Sequence, residues 1–247
     1  MPPLPQPLPT PLPEAERRQL TVMFCDLVES TALASQLDPE ELRDIIQAYQ
    51  QVCTEVIQRF DGHIAQYLGD GLLVYFGYPQ AHEDDAQRAV RAGLGIIAAL
   101  GQLTVRPELP QHMALAVRVG IHTGLVVVGT LGGSARQEHL ALGETPNIAA
   151  RLQGIATPNT VVVSSVTCQL VQGYFVYEAL GEQTLKGVAT PTEAYRIVEA
   201  HRTQSHFDVM VTRGLTPLVG RTHEVALLRE RWEQVKDGYG QVVLAQR

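Results

Sequence analysis

Apolar and polar positions divide the chain into short strand-like runs and longer helical stripes. Residues 20–25 are mostly apolar and lead directly into Asp26, which predicts a buried strand that ends at a polar position. Apolar residues recur at helical spacing from Leu42 to Phe60, after a helix start at Asp38-Pro39. A second helical stripe runs from Ala89 to Leu100. The first half of the chain is therefore predicted to be a strand followed by helices and further strands.

Short apolar runs predict the remaining strands. Two of them flank Gly69-Asp70-Gly71, a pattern typical of a hairpin from which Asp70 projects. Residues 114–124 and 125–133 are predicted as two strands joined at Thr123-Gly124, and Thr145 and Pro146 are predicted to open a helix. Three later strands are expected, in residues 160–165, 174–180 and 193–199. This order predicts an α+β sandwich with helices packed on a largely antiparallel sheet.

Asp26 and Asp70 converge if the hairpin lies beside the first strand. Two neighbouring carboxylates raise each other's pKa unless a cation lies between them. Mg²⁺ is usually held by one or two aspartates, with phosphates completing its ligands. Each residue also has an ordinary explanation, a helix N-cap for Asp26 and plain turn chemistry for Asp70. The pair is thus a candidate metal site, with both alternatives open.

Asn147 and Arg151 are four residues apart and share one face of the predicted helix. Such a pair suits a group that gains negative charge, although exposed polar pairs at this spacing are common. His122 has no evident partner and is interpreted as a structural histidine. Asp84 and Asp85 occupy a first helical turn, where compensation of the helix dipole explains them better than metal binding.

Composition limits the classes of function. The chain has 247 residues, 45% of them hydrophobic, and a formal net charge of −7, which argues against a nucleic-acid-binding protein. Cys25, Cys53 and Cys168 match neither a metal spacing nor a disulfide framework, so we expect buried, reduced thiols. Neither a membrane-length apolar run nor a signal peptide is visible. A cytoplasmic protein without a membrane partner is expected.

Four segments in order carry a resemblance to a known family: FCDLVEST, LGDGLLVYF, VRVGIHTGLVVVG and GETPNIAARLQ. Over residues 17–200 the chain resembles the catalytic domain of class III nucleotidyl cyclases, the adenylate and guanylate cyclases. The resemblance implies a ferredoxin-like core and a lyase that converts ATP to 3′,5′-cyclic AMP and pyrophosphate in signal transduction. It also implies a head-to-tail homodimer with paired sites at the interface, in which a monomer is inactive.

The same resemblance implies roles for individual residues. Two divalent ions, Mg²⁺ or Mn²⁺, are expected at Asp26 and Asp70, assisted by the Leu27 carbonyl. Asn147 positions the ribose and Arg151 stabilises the transition state. The terminal phosphates are expected at Arg118 and Lys186 and at the backbone amides of Val28, Glu29, Ser30 and Thr31. Glu29 departs from the glycine common in the family, and its carboxylate is unfavourable near phosphates unless it points to solvent.

The predicted base pocket departs further from the family. Gln66 stands where the family has a purine-reading lysine, and Leu140 stands where it has Asp or Thr. A glutamine amide can face either purine, whereas leucine offers no hydrogen bond. We therefore expect relaxed base selection, low activity or both, with ATP as the default substrate.

Both ends of the chain are predicted to lie outside this domain. Residues 1–16 are proline-rich and expected to be a disordered tail, and residues 201–216 to be a linker. Residues 217–247 resemble the start of an AAA-like ATPase, with a helix near Glu224 to Lys236 and a strand at Gln241 to Leu244. The sequence stops before a GxxxxGK loop, so no ATPase activity is expected.

Two other functions compete with an active cyclase. One is a non-catalytic cyclase-homology module that binds nucleotide and dimerises to regulate an attached ATPase, which Gln66, Leu140 and Glu29 favour. The other is a different two-metal enzyme, such as a diguanylate cyclase or a polymerase. That class explains the paired aspartates but leaves Asn147 and Arg151 unexplained.

Overall fold

A computed structural model describes residues 16–103, 115–131, 138–188, 190–201, 220–240 and 242. The chain divides into two units, Met1–Thr203 and Gln204–Arg247. The strands of the first unit are β1 (Glu16–Leu27), β2 (His63–Leu68), β3 (Gly71–Phe76), β4 (Val117–Leu131), β5 (Glu138–Leu142), β6 (Thr160–Ser164), β7 (Phe175–Gln183) and β8 (Thr192–Ala200). Its helices are α1 (Ser30–Gln36), α2 (Pro39–Arg59), α3 (Asp85–Leu103), α4 (Glu144–Ile155) and α5 (Ser165–Val171).

All eight strands form one sheet, in the order β2-β3-β1-β4-β6-β8-β7, with β5 paired to β4. The β1–β3, β1–β4, β2–β3, β4–β5, β6–β8 and β7–β8 pairs are antiparallel, and β4–β6 is parallel. The order β2-β3-β1-β4 is that of a ferredoxin-like core. The predicted α+β fold with a largely antiparallel sheet is therefore confirmed.

The two faces of the sheet carry different helices. Met23, Cys25 and Leu27 of β1 belong to a large buried cluster with residues of α2 and α3. Side chains alternate between the two faces along a strand, so the even-numbered residues of β1 point to the other face. There Leu20 and Val22 pack in a cluster that includes Ala149 of α4. Asp26 falls in this second row, on the face that α4 covers.

The structure differs from the sequence-based prediction around Thr123-Gly124. No chain reversal occurs there, because β4 continues from Val117 to Leu131 and pairs with β1 from Val117 to Val128, on both sides of Thr123-Gly124. The short strand β5 was not predicted. In the hairpin, the residue with positive φ is Gly69 (φ 68°), and Gly71 already belongs to β3.

Helix α4 begins at Glu144, two residues before the predicted first residue Pro146. Its N-cap is Gly143, with φ 144°. Thr145, the predicted cap, is buried in the first turn and donates its hydroxyl to the Leu125 carbonyl at 2.9 Å. The hydroxyl therefore attaches the helix to β4 and does not cap it.

Other predictions about structural residues are confirmed. All three cysteines are free and buried. His122 is buried, and its Nδ1 lies 2.7 Å from the Ser164 hydroxyl oxygen, in hydrogen-bonding contact. Asp85 lies in the first turn of α3, as predicted, whereas Asp84 precedes the helix and forms an ion pair with Arg88.

The second unit contains helix α6 (Thr222–Lys236) in its described residues, at the position predicted for a helix. The proline-rich segment up to residue 15, residues 202–219 and most of the strand predicted at 241–244 lie outside the described residues. Among the helices that the structure describes, none has the length and apolar character needed to cross a membrane.

Candidate active site

Asp26 lies next to the end of β1, half-buried on the α4 face of the sheet. In the β1–β4 ladder its direct partner is Arg118, and Leu27 pairs with Val117. Directly opposite residues in an antiparallel pair have neighbouring side chains on one face of the sheet. A carboxylate and a guanidinium are therefore adjacent at this end of the sheet.

Asp70 approaches the same point from the β2–β3 turn. Strand β3 pairs with β1 so that Leu72 is opposite Cys25, which brings the turn beside the end of β1. A Cβ atom built on Gly71 would be 3.3 Å from Oδ1 of Asp26. The structure thus brings the two aspartates together, as the hairpin pattern predicts.

The electrostatics of Asp26 reflect this crowding. Burial raises the pKa of the Asp26 carboxyl above its ordinary value, and the neighbouring Asp70 carboxyl raises it further through charge and a hydrogen bond. A hydrogen bond from the Leu27 backbone and the charge of Arg118 act in the opposite direction, with smaller effect. A divalent cation between two such carboxylates would favour their charged forms.

The Arg118 side chain has a buried hydrogen-bond donor without an acceptor among the described residues. Its Nε is buried, and no acceptor within the described part of the chain bonds to it. A buried donor without an acceptor is costly, by about 1–3 kcal/mol. An anion beside Asp26, such as a phosphate oxygen, would satisfy this donor.

The residues predicted as metal ligands supply only part of the ligand set of a divalent ion. The described residues contain no group of three or more His, Cys, Asp or Glu side chains placed to hold one metal ion. Two carboxylates, a backbone carbonyl such as that of Leu27, and phosphate oxygens form a suitable all-oxygen set for Mg²⁺ or Mn²⁺. The donors present therefore suit a divalent ion whose remaining ligands are water molecules or nucleotide phosphates.

Sequence reasoning missed one residue of this site, Gln153 of α4. Its Nε2 donates a hydrogen bond to Oδ2 of Asp26 at 3.3 Å. A Cβ atom on Gly120 of β4 would lie 2.1 Å from the backbone nitrogen of Gln153, so only glycine allows α4 to approach so closely. The sequence signal was a glycine within a strand, which often marks close approach of another backbone.

Asn147, Arg151 and Lys186 form a second group away from the aspartates. Asn147 and Arg151 are exposed on α4, and Arg151 Nε donates to the Lys186 carbonyl oxygen at 3.1 Å. Asn147 Nδ2 donates to the Gly143 carbonyl oxygen at 3.4 Å. At about 100° per residue, the Cα of Arg151 is about 160° around the helix from that of Gln153. One helix therefore presents Gln153 to Asp26 and the Asn-Arg pair to a different side.

The segment predicted to bind phosphate follows Asp26 directly. Helix α1 begins at Ser30 after Glu29, whose side chain is exposed and whose φ of 58° is left-handed. The Val28 amide already donates to the Ala116 carbonyl oxygen at 2.8 Å. A phosphate here would therefore meet the amides from Glu29 to Thr31, and not that of Val28.

The two residues predicted to read the base lie on different strands. Gln66 of β2 pairs with Leu73 and is half-buried near the Asp70 turn. Leu140 of β5 pairs through its backbone with Gly129, and strands β2 and β5 approach each other. The side chains of Leu140 and Thr31 lie outside what the structure describes.

Comparison with known proteins identifies the family. The model of the adenylate and guanylate cyclase catalytic domain matches residues 12–199. The chain belongs to this family of nucleotidyl cyclase catalytic domains.

Two curated proteins of one bacterium are similar to the chain. An uncharacterized protein of Rhizobium meliloti (strain 1021) is 34% identical over 233 residues, covering 94% of this chain and 22% of that protein. Adenylate cyclase 1 of the same organism is 29% identical over 186 residues, covering 74% of this chain and 28% of that protein. The chain thus spans about a quarter of the length of these curated relatives.

Solved structures agree with this assignment. The adenylyl cyclase CyaB from P. aeruginosa superposes with a TM-score of 0.69 at 28% identity, covering 78% of this chain and all of that one. The guanylyl cyclase Cya2 gives a TM-score of 0.69 at 29% identity, covering 76% of this chain and 95% of that one. The fold is therefore common to cyclases named for adenylyl and for guanylyl specificity.

Proposed function

We propose that the chain is an adenylate cyclase-like enzyme that converts ATP to 3′,5′-cyclic AMP and pyrophosphate at the interface of a homodimer. The observation that carries the proposal is the convergence of Asp26 and Asp70 beside Arg118, at the end of a sheet of the cyclase fold. ATP is proposed because adenylate cyclases are among the relatives. Guanylate-type relatives make GTP the direct competitor.

The carboxylates of Asp26 and Asp70, with the Leu27 carbonyl, are proposed to hold Mg²⁺ or Mn²⁺. When bound, two such ions would supply Lewis-acid activation of the ribose 3′-hydroxyl and neutralise phosphate charge. The raised pKa of Asp26 supports this assignment, because the carboxyl pair lacks a full set of compensating charges of its own. Arg118 is proposed to bind a phosphate oxygen through its unused Nε donor.

Asn147 and Arg151 are proposed to act on the reacting part of the nucleotide. The amide of Asn147 orients the ribose, and the guanidinium of Arg151 stabilises the negative charge that develops on the α-phosphoryl oxygens. Lys186, whose carbonyl oxygen accepts a hydrogen bond from Arg151, is proposed to bind the terminal phosphates. The reaction forms the bond from O3′ to the α-phosphorus, breaks the bond from that phosphorus to the leaving pyrophosphate, and releases the 3′-hydroxyl proton to solvent.

The positions of these groups support a site shared by two chains. Within one chain Gln153 faces Asp26, while Arg151 points to a different side of α4. A partner related by a two-fold axis would supply Asn147 and Arg151 to the first chain's aspartates and receive the same in return. The head-to-tail homodimer is proposed on this basis.

The proposal is tested by turnover of ATP, GTP, CTP and UTP, each with Mg²⁺ and with Mn²⁺. An Asp26→Ala variant is the control, since it removes a proposed metal ligand. Cyclic nucleotide that forms only with the parent protein would support a cyclase, and the ratio among bases would report the effect of Gln66 and Leu140. Absence of product at high protein concentration, where a weak dimer forms, would contradict it.

A non-catalytic, nucleotide-binding module is the second candidate. It is favoured by Glu29, whose carboxylate adjoins the proposed phosphate-binding amides in a backbone conformation that glycine adopts more easily. If this second function is correct, the chain binds nucleotide and dimerises but forms no cyclic nucleotide. Regulation of an attached AAA-like ATPase by such a module is likewise a proposal.

A further inference from the structure

The two oxygens of Asp26 have different surroundings. Oδ2 lies 3.3 Å from the Nε2 donor of Gln153. Oδ1 lies toward the β2–β3 turn, 3.3 Å from where a Cβ of residue 71 would be. One oxygen is thus hydrogen-bonded to α4, and the other faces the turn that carries Asp70.

The backbone of Gln153 is held in place by the packing of α4. Ala149 and Leu152 are fully buried, and the helix contacts the bare backbone of Gly120. The Gln153 side chain is half-buried and extends toward the end of β1. A side chain on a fixed backbone loses less freedom when it makes a hydrogen bond, so this contact can hold Asp26 in one rotamer.

We propose that Gln153 is a positioning residue that orients Asp26 for a divalent cation, by donating to Oδ2 and leaving Oδ1 to the metal. The inference rests on the proposed function, since it takes Asp26 to be a metal ligand. Hydrogen bonds from outside the ligand set commonly orient metal-binding side chains and strengthen binding. An amide suits this role because it is neutral and does not compete with the cation for the carboxylate charge.

Gln153→Met tests the proposal, because it keeps the length of the side chain and removes the donor. Binding of Mn²⁺ alone is followed by electron paramagnetic resonance of the free ion. We expect the dissociation constant to rise about tenfold. Gln102→Met, the same change at an exposed position of α3, is the matched control and should leave the constant unchanged.

Two comparison variants separate the possible failures. If Asp26→Ala weakens Mn²⁺ binding and Gln153→Met does not, the role of Gln153 is overturned while the metal site stands. If Asp26→Ala binds Mn²⁺ as the parent does, the proposed metal site and this inference both fail. Gln153→Asn, which keeps the amide but shortens its reach, should reproduce the defect and covers the case in which the methionine variant does not fold.

Steady-state kinetics distinguish positioning from a general structural role. For Gln153→Met the Mn²⁺ concentration giving half-maximal turnover should rise about tenfold, while kcat at saturating Mn²⁺ stays within about twofold of the parent. A fall in kcat at saturating Mn²⁺, with an unchanged half-maximal concentration, would overturn the proposal.

Discussion

Gly120 of β4 lies directly beneath Gln153 of α4. A Cβ atom at residue 120 would be 2.1 Å from the Gln153 backbone nitrogen and 2.3 Å from the Ala149 carbonyl oxygen. Both atoms belong to the helix backbone, so no change of rotamer relieves the overlap. The absence of a side chain at Gly120 therefore sets the distance between α4 and the sheet, and with it the contact from Gln153 to Asp26.

Gly120→Ala is accordingly expected to destabilise the fold by about 3 kcal/mol or more, because α4 must move as a whole. Urea unfolding at neutral pH measures the loss. Gly154→Ala, in α4, is the control, since among the described residues no atom outside the adjoining helix backbone lies within 4 Å of its Cβ position, and alanine favours helix. Equal stability of the Gly120→Ala variant and the parent would contradict the described packing.

Glu29→Gly should stabilise the protein and improve nucleotide binding. Glu29 has a φ of 58°, a left-handed conformation that costs a residue with a Cβ about 1 kcal/mol relative to glycine. The change also removes a negative charge beside the amides proposed to bind phosphate. We expect a gain of about 1 kcal/mol in the free energy of unfolding, together with a lower KM for ATP.

Glu29→Ala separates the two effects, because it removes the charge but keeps the Cβ atom. It should lower KM as the glycine variant does, without the same gain in stability. If the alanine and glycine variants are equally stable in thermal melts, backbone strain at residue 29 is not the cause. If both variants leave KM unchanged, the carboxylate of Glu29 does not influence the nucleotide.

The pairing of Asp26 with Asp70 was predictable because it depends on local patterns. An apolar run ending in Asp26, and a hairpin signal around Asp70, each specify a strand end and a turn. The two aspartates then come together if the hairpin is the antiparallel neighbour of the first strand in the sheet. The separation of Asn147 and Arg151 from Gln153 around α4 likewise follows from helical periodicity.

The contact between Gln153 and Asp26 was not predictable in the same way. It joins residues 127 positions apart and depends on how closely α4 approaches β4, which the sequence of neither element encodes alone. The supposed break at Thr123-Gly124 was wrong for a related reason. Thr-Gly is a turn signal, but pairing with β1 on both sides of it keeps the chain extended.

His122 should make stability depend on pH. Burial lowers its pKa to about 4, from an ordinary value of 6.5. Between these values the unfolded chain binds a proton that the folded protein does not. The contribution of His122 to stability is therefore complete above pH 6.5 and declines as the pH falls toward 4.

Urea unfolding of the parent and a His122→Gln variant at pH 7 and pH 5 measures this contribution. Because glutamine does not titrate, the parent should lose about 2 kcal/mol more than the variant on acidification. Taking the difference between the two proteins removes the titration of all groups that they share. A difference in stability that is equal at both pH values would show that His122 keeps an ordinary pKa in the fold.

Mixing two inactive variants tests the shared site. Asp26→Ala lacks a proposed metal ligand and Arg151→Ala lacks the proposed transition-state residue, so each homodimer should have two defective sites. A mixed dimer would combine both defects in one site and leave the other intact. Since random pairing makes half of the dimers mixed, about a quarter of parental cyclic nucleotide formation should return on mixing.

Mixing Asp26→Ala with Asp70→Ala is the control and should restore nothing, because one chain supplies both aspartates to each site. If the first mixture also stays inactive while size-exclusion chromatography shows that dimers exchange, the aspartates and Arg151 do not act from opposite chains.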